Sequence, residues 1–341
     1  MTETNERRQR LARRKKRQAR MRRRRILFFA LVALILFALI SLISRVIHRM
    51  NTPDEPAPFN WFVDKAYRDQ KGIVRTVKPT YSTFPDSLNS IYDDLEFMKK
   101  EIMPGENHLI QANSYAYDTK TIRQYIRGEA EYTADKKLVF LTFDDGPNTT
   151  ITPQVLDILA KNDVHATFFV VGNRIKDQTT NVLRRTVYEG NAIATHSFSH
   201  DYETLYPEKT ANAAKLKEES LLTQGRLQKI FGDDFKSNVM RYPGGHMSWQ
   251  NTQSSDKALA DAGIEWIDWN AIIGDASTKS SRPTTTEGFI ETLDRSLNQN
   301  LHTDIAVVLM HDATNKQQSV DALQSIIDYF KSHNYEFGIL K

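Results

Sequence analysis

Along residues 136–341, hydrophobic positions fall into short apolar runs separated by amphipathic stretches. The first run, Leu138-Val139-Phe140-Leu141-Thr142-Phe143, is apolar on both alternating faces, the pattern of a strand covered on both sides. Six more such runs follow: Ala166–Val171, Ala192–Thr195, Val239–Tyr242, Ile264–Trp269, Ile305–Met310 and Phe337–Leu340. Helical spacing of apolar residues marks Thr152–Lys161, Asn181–Glu189, Ala211–Phe231, Ser255–Ala262, Glu287–Asn300 and Ser319–His333. Strand–helix alternation of this kind predicts an α/β fold with a parallel sheet, open or closed into a barrel. In a barrel, chemistry gathers at the C-terminal ends of the strands.

Upstream the pattern weakens. Ser87–Ile102 places Leu88, Ile91, Leu95, Phe97 and Met98 at roughly helical spacing, and Asp118–Arg127 aligns Ile122, Tyr125 and Ile126 on one face. Neither stretch carries candidate chemistry, so residues 45–134 are expected to be a linker and a stalk or accessory region packed on the main domain. Asn51–Pro58 (NTPDEPAP) reads as the linker. Before it, Ile26–Ser44 is an uncharged apolar run, and a helix of that length rises about 28 Å, close to the thickness of a bilayer core.

Charge changes the reading of the N-terminus. Residues 1–25 hold 13 of the 46 Lys and Arg against Glu3 and Glu6, leaving 33 basic and 40 acidic residues in the remainder. A basic tail is joined to an acidic body. Nucleic-acid binding is one reading of such a tail, but cations abutting an apolar span fit the positive-inside rule better. No A-x-A site follows the span, which argues against a cleaved signal peptide. The expectation is a basic cytoplasmic tail (1–25), an uncleaved single-pass anchor in the lipid bilayer (26–44) and an extracellular domain, on the membrane of a Gram-positive-like bacterium. The chain has no cysteine, so an exported domain would rest on its core alone.

The strand ends carry the chemistry. The first run ends in Asp144-Asp145 and turns through Gly146-Pro147. An Asp-Gly turn with one capping aspartate is the bland account. The third runs into His196-Ser-Phe-Ser-His200; as a helical turn it would put both imidazoles on one face, able to share a metal ion. Two histidines and a carboxylate from another strand end, with positions left open, form a catalytic zinc-type set that would also accept cobalt, nickel or iron. Arg241-Tyr-Pro-Gly-Gly245, Asp268 through Asp275, and Leu309-Met-His311-Asp312 close the remaining strands. Gly244-Gly245 lacks the context of a phosphate loop.

The order TFDDG (142–146), HSFSH (196–200), RYPGG (241–245), WNAIIGDA (269–276) and LMHD (309–312) resembles the NodB-homology polysaccharide deacetylases, carbohydrate esterase family 4, over about residues 135–341. The resemblance implies a distorted (β/α) barrel that hydrolyses N-acetyl groups of an amino-sugar polymer with one divalent metal ion, zinc or another transition metal. Carried over by motif, Asp145, His196 and His200 hold the metal and Asp144 is the general base. Arg241 would orient Asp144, the Gly244 backbone N–H would stabilise the oxyanion, and His311 would be the general acid, kept cationic by Asp275. Tyr242 and Leu309 either line the substrate pocket or pack in the core. Two departures stand out: Gly244 where many members have an aromatic residue, and Asp275-Ala276 where many have Asp-Trp. The expected substrate is N-acetylglucosamine of peptidoglycan glycan strands, with N-acetylmuramic acid, poly-N-acetylglucosamine or chitin, and acetylated xylan as alternatives. Nucleic acid is not expected as a partner, and the catalytic domain is expected to be monomeric. A non-catalytic wall-binding protein would be expected to lose base, acid or ligands, and none is missing.

Overall fold

The computed structural model describes residues 102–300 and 303–341. The basic tail, the apolar run over 26–44, the linker and nearly all of the helix expected over Ser87–Ile102 lie outside the described residues. Among the described residues no helix is long and apolar enough to cross a membrane. The reading of the chain as a single-pass protein of the cell membrane, with the bilayer as a partner, is therefore withdrawn.

Helices and strands alternate from residue 116 onward. The order is β1 (Ala116–Tyr117), α1 (Thr119–Ile126), β2 (Lys137–Asp144), α2 (Ile151–Asn162), β3 (Ala166–Val170), α3 (Asp177–Tyr188) and β4 (Ala192–Thr195). Next come α4 (Tyr202–Leu205), α5 (Ala213–Phe231), β5 (Val239–Met240), α6 (Thr252–Ala260), β6 (Glu265–Trp266) and β7 (Ala271–Ile272). The chain ends with α7 (Thr286–Asn298), β8 (Ile305–His311), α8 (Gln317–Ser332), β9 (Tyr335–Phe337) and β10 (Ile339–Leu340).

The main sheet runs β6-β5-β4-β3-β2-β8-β7, every pair parallel. β9 takes the edge of β2 ahead of β3, pairing residues 137–139 where β3 pairs 141–144. Strand β2 is buried from its second residue to its last, which is why its sequence is apolar on both faces. The sheet curls without closing, because β6 and β7 end the path unpaired with each other. The run expected as one strand over Ile264–Trp269 instead crosses this seam, with β6 on β5 and β7 on β8. Between them Asn270 takes the place of a strand residue: its Oδ1 accepts from Val307 N at 2.7 Å and its Nδ2 donates to the Ile305 carbonyl at 2.7 Å.

Helix α1 covers the seam. Asp118 caps it by accepting from Thr121 N at 2.8 Å, and Ile122 is buried among Leu138, Phe140 and Ile305. Arg123 donates to the Trp266 carbonyl at 2.6 Å and pairs with Glu265 at 2.8 Å. β1 pairs in parallel with β10, and Asn107 donates to the Leu340 carbonyl at 3.0 Å. Residues 102–134 thus pack directly on the strands that carry the site.

The interior of the curl is apolar at its base. Leu138, Phe140, Phe169, Ala194, Val239, Ile267, Ile305 and Val307 form this cluster. Truncating a buried phenylalanine such as Phe140 to alanine costs about 3–5 kcal/mol. Side chains alternate along strands, so positions two residues further on point the same way. That arithmetic places Thr142 and Asp144, His196, Arg241, Trp269, and Leu309 and His311 on the inner face, at the end where the strands stop.

Candidate active site and metal centre

Asp144 and Asp145 leave β2 by different routes. Asp144 stays on the inner face, 2% exposed, and receives Arg241 Nη1 on Oδ1 at 2.7 Å. Asp145 would point outward if the strand continued. Instead its φ is 79°, a left-handed turn that swings its carboxylate back to the inner end. Its Oδ1 then stands 3.3 Å from His200 Nε2 and 3.9 Å from His196 Nε2. Each adjacent carboxylate meets different partners.

Three groups converge as a ligand set. Asp145, His196 and His200 offer atoms that all lie within 4.8 Å of one another. Ligands held at about 2.1 Å around a tetrahedral ion stand roughly 3.4 Å apart; the Asp145–His200 spacing of 3.3 Å matches this, and the Asp145–His196 spacing of 3.9 Å is somewhat longer. Two observations show that the residues fit an ion. Asp145 Oδ1 is buried with no hydrogen-bond partner among the described residues. His196 Nδ1–H donates to the Arg241 carbonyl at 2.9 Å, which fixes the tautomer and leaves Nε2 facing the site as a lone-pair donor. Burial pushes His196 down to about 4, so the ring is the neutral imidazole a metal requires.

The two histidines do not sit on a helical turn, as the four-residue spacing suggested. Ser197 and His200 have φ of 59° and 57°, so residues 196–200 form a tight loop. Helix α5 holds that loop. Glu219, 3% exposed, accepts from Phe198 N at 3.0 Å, Ser199 N at 2.8 Å and Ser199 Oγ, and Thr223 Oγ1 donates to the Ser197 carbonyl at 2.8 Å. Sequence reasoning missed Glu219. A signal was present, since Leu216, Glu219, Thr223 and Leu227 share one helical face and put a carboxylate on the buried side.

Arg241 is fully buried, and its guanidinium makes four hydrogen bonds. Besides Asp144 it donates to Thr142 Oγ1 at 2.8 Å and to the carbonyls of Ile267 and Asp268 at 3.1 and 3.2 Å, and its face lies 4.0 Å over Phe169. A bare ammonium could not make this fork. Tyr242, one residue on, faces the other way. It is buried with Leu205, Tyr206, Met240 and Leu259 and donates to Asp256 at 2.8 Å, so the expected pocket role is replaced by a core role. Leu309 is 9% exposed on the inner face, one step below His311.

His311 sits on β8 directly opposite Asp144 in register. Its Nδ1 meets Asp275 Oδ1 at 2.9 Å, and its backbone N donates to Asp275 Oδ2 at 2.9 Å. Ser319 Oγ donates to the same Oδ2 at 2.8 Å, and Lys316 Nζ to the Asp275 carbonyl at 2.8 Å. Burial works against a charged His311, but the Asp275 hydrogen bond and charge outweigh it and raise its pKa. Asp275 is held below the usual carboxylate range in turn: burial opposes this, and His311, Lys316 and Ser319 overcome it. Asp312, the next residue, faces outward and is fully buried; burial pushes it up to about 7. It accepts from Thr152 Oγ1 at 2.5 Å and packs on Gly146, where any Cβ would strike its carboxyl.

Gly244 has φ of 79°, is exposed at the mouth, and lies in a turn anchored by Asp268, whose Oδ1 accepts from His246 N at 2.9 Å. The arrangement therefore brings Asp144, Asp145, His196, His200, Arg241, Gly244, Asp275 and His311 to one end of the sheet, with Leu309 beneath them. Tyr242 stays outside.

Residues 131–267 match a family model described as polysaccharide deacetylase. A chitin deacetylase of Colletotrichum lindemuthianum is 33% identical over 58% of this chain and 75% of its own length. The chain belongs to the polysaccharide deacetylase family. A solved Streptococcus mutans CE4 esterase is 43% identical, with a TM-score of 0.68 over 71% of this chain and 99% of that one. A peptidoglycan-N-acetylglucosamine deacetylase of Bacillus cereus is 29% identical over 61% of this chain and 88% of its own. The match to a bifunctional xylanase/deacetylase of Pseudobutyrivibrio xylanivorans spans only 30% of that longer protein. The family match ends before β8, so Asp275 and His311 lie outside the residues it covers.

Proposed function

We propose that this member of the family is a metal-dependent hydrolase that removes N-acetyl groups from amino sugars, with N-acetylglucosamine of peptidoglycan as substrate. One observation carries the reading: two adjacent aspartates with separate partners, Asp145 on two histidines and Asp144 on a buried arginine, opposite an Asp275–His311 pair. Hydrolysis of an acetamide needs a polarised carbonyl, a deprotonated water and a protonated leaving amine. A divalent ion on Asp145, His196 and His200, zinc by the donor set, would polarise the carbonyl and acidify a bound water.

The protein's own groups complete the reaction. Asp144 takes the proton from the attacking water, and Arg241 keeps that carboxylate aimed. The Gly244 N–H donates to the carbonyl oxygen as negative charge develops there; a backbone donor does not depend on a side chain at 244. His311, raised by Asp275, delivers its Nε2 proton to the amide nitrogen as the C–N bond breaks, so the sugar departs as the free amine and the acyl group is released as acetate. Similarity to the Bacillus cereus enzyme favours peptidoglycan, and similarity to the Colletotrichum enzyme favours a chitin-like polymer as the second reading. The test is acetate release by the full chain from N-acetylated peptidoglycan and from an N-acetylglucosamine oligomer. Activity lost on chelation and restored by zinc or cobalt is expected. Full activity after exhaustive chelation would overturn the mechanism.

A further inference from the structure

Beside the mouth, the protein leaves apolar surface open. Of the large hydrophobic side chains that are exposed among the described residues, Tyr202 (44%) lies against His200, and Met247 (76%) follows Gly244 by three residues in the turn held by Asp268. Tyr202 begins the short helix α4, two residues past His200, and its ring centre is 5.3 Å from that of His200. Trp249 meets it edge-on with centres 5.3 Å apart and stacks on Tyr206 at 3.8 Å, which fixes the plane of the indole. The Trp249 Nε1–H donates to the Pro243 carbonyl at 2.8 Å, tying the indole to the same turn as Gly244.

Gly244 itself contributes no wall. A Cβ at that position would lie 3.0 Å from Trp249 and 3.2 Å from the Tyr202 hydroxyl. The space that a side chain at Gly244 would occupy is therefore filled from across the turn by two aromatic side chains. No hydrogen bond among the described residues engages the Tyr202 hydroxyl, which leaves it a donor and acceptor at the edge of an exposed ring. Rigid aromatic faces with one polar tip suit a pyranose, which offers an apolar C–H face and a fringe of hydroxyls.

We propose that Tyr202, backed by Trp249 and extended by Met247, is the sugar-binding wall of this site and takes the place of a side chain at position 244. The inference rests on the deacetylase reading for its ligand, a β-linked N-acetylhexosamine strand. The wall acts on substrate binding: it grips the glycan and leaves the proton transfers to Asp144 and His311.

The probe is a pentamer of N-acetylglucosamine, used with the zinc-loaded full chain. Tyr202→Ala is expected to raise KM about tenfold with kcat within about twofold, and Tyr202→Phe and Met247→Ala to raise KM about threefold. Titration calorimetry in an Asp144→Asn background, which needs no turnover, should show the same fall in affinity at unchanged metal stoichiometry. Met247→Ala alters a side chain three-quarters exposed, so it carries the comparison if Tyr202→Ala disturbs the loop. A loss confined to kcat, or pentamer affinity unchanged in Met247→Ala and Tyr202→Phe, would overturn the wall. A wild type that binds the pentamer but releases no acetate from any substrate would overturn the deacetylase reading instead, and the binding comparison would still decide the wall.

Discussion

Replacing Asp275 by asparagine tests the acid end of the site, because it deletes a charge and preserves shape. The Asp275 carboxylate lies 2.9 Å from His311 Nδ1, and both its oxygens are engaged by His311 and Ser319. Unit charges about 4 Å apart attract by roughly 4 kcal/mol at an effective dielectric near 20. Burial of the pair is set against that attraction, and the raised pKa of His311 shows that the attraction wins. With the charge gone, burial acts on His311 opposed by the more distant Asp144 and Asp145, so its pKa should fall. The sign follows from its role. A general acid works while protonated, so activity is present below its pKa and lost as pH rises through it. The basic limb of the kcat profile of Asp275→Asn should therefore move to lower pH by at least about one unit, with kcat reduced at the new optimum. The acidic limb, set at the β2 end, should stay in place. A shift of the acidic limb alone, or no shift, would refute the pairing as the source of the acid.

Two further substitutions probe what holds the site. Glu219→Ala should loosen residues 198–199, lowering metal affinity by about 10–100-fold in titration calorimetry while the metal ligands remain; unchanged affinity would show that α5 does not organise the loop. Arg241→Met should cost about 3–5 kcal/mol in denaturant unfolding, because it leaves the Asp144 charge buried without its partner; a loss below about 1 kcal/mol would mean water or another group compensates.

Much of this was legible in the chain because strand alternation is rigid arithmetic. Phe140 to Asp144 and Val307 to His311 are four residues apart, and Ala194 to His196 and Val239 to Arg241 two, each an even step from an inner core residue to a site residue. The same rule puts Tyr242 outside, since it follows Arg241 by one, and the burial of its ring with Met240 and Leu259 agrees. What the pattern hides is backbone turned against its own period. Asp145 reaches the histidines only through a positive φ, and His196 and His200 meet through a loop with two left-handed residues where four-residue spacing reads as helix. The crossing at Ile267–Asn270 hides for another reason: its apolar residues fill the interior as a strand would, while Asn270 supplies the ladder bonds from its side chain. Glu219 hides because a glutamate in a long helix ordinarily faces water.

The central claim is that the two adjacent aspartates divide the work, and one paired measurement tests it. Metal stoichiometry and acetate release should be compared in Asp144→Asn and Asp145→Asn. Asparagine at 144 still accepts from Arg241, so that variant should bind one ion per chain as the wild type does and release almost no acetate. Asparagine at 145 should lose tight metal binding, and activity with it. Equal loss of metal in both variants, or turnover by Asp144→Asn near the wild-type rate, would contradict the division.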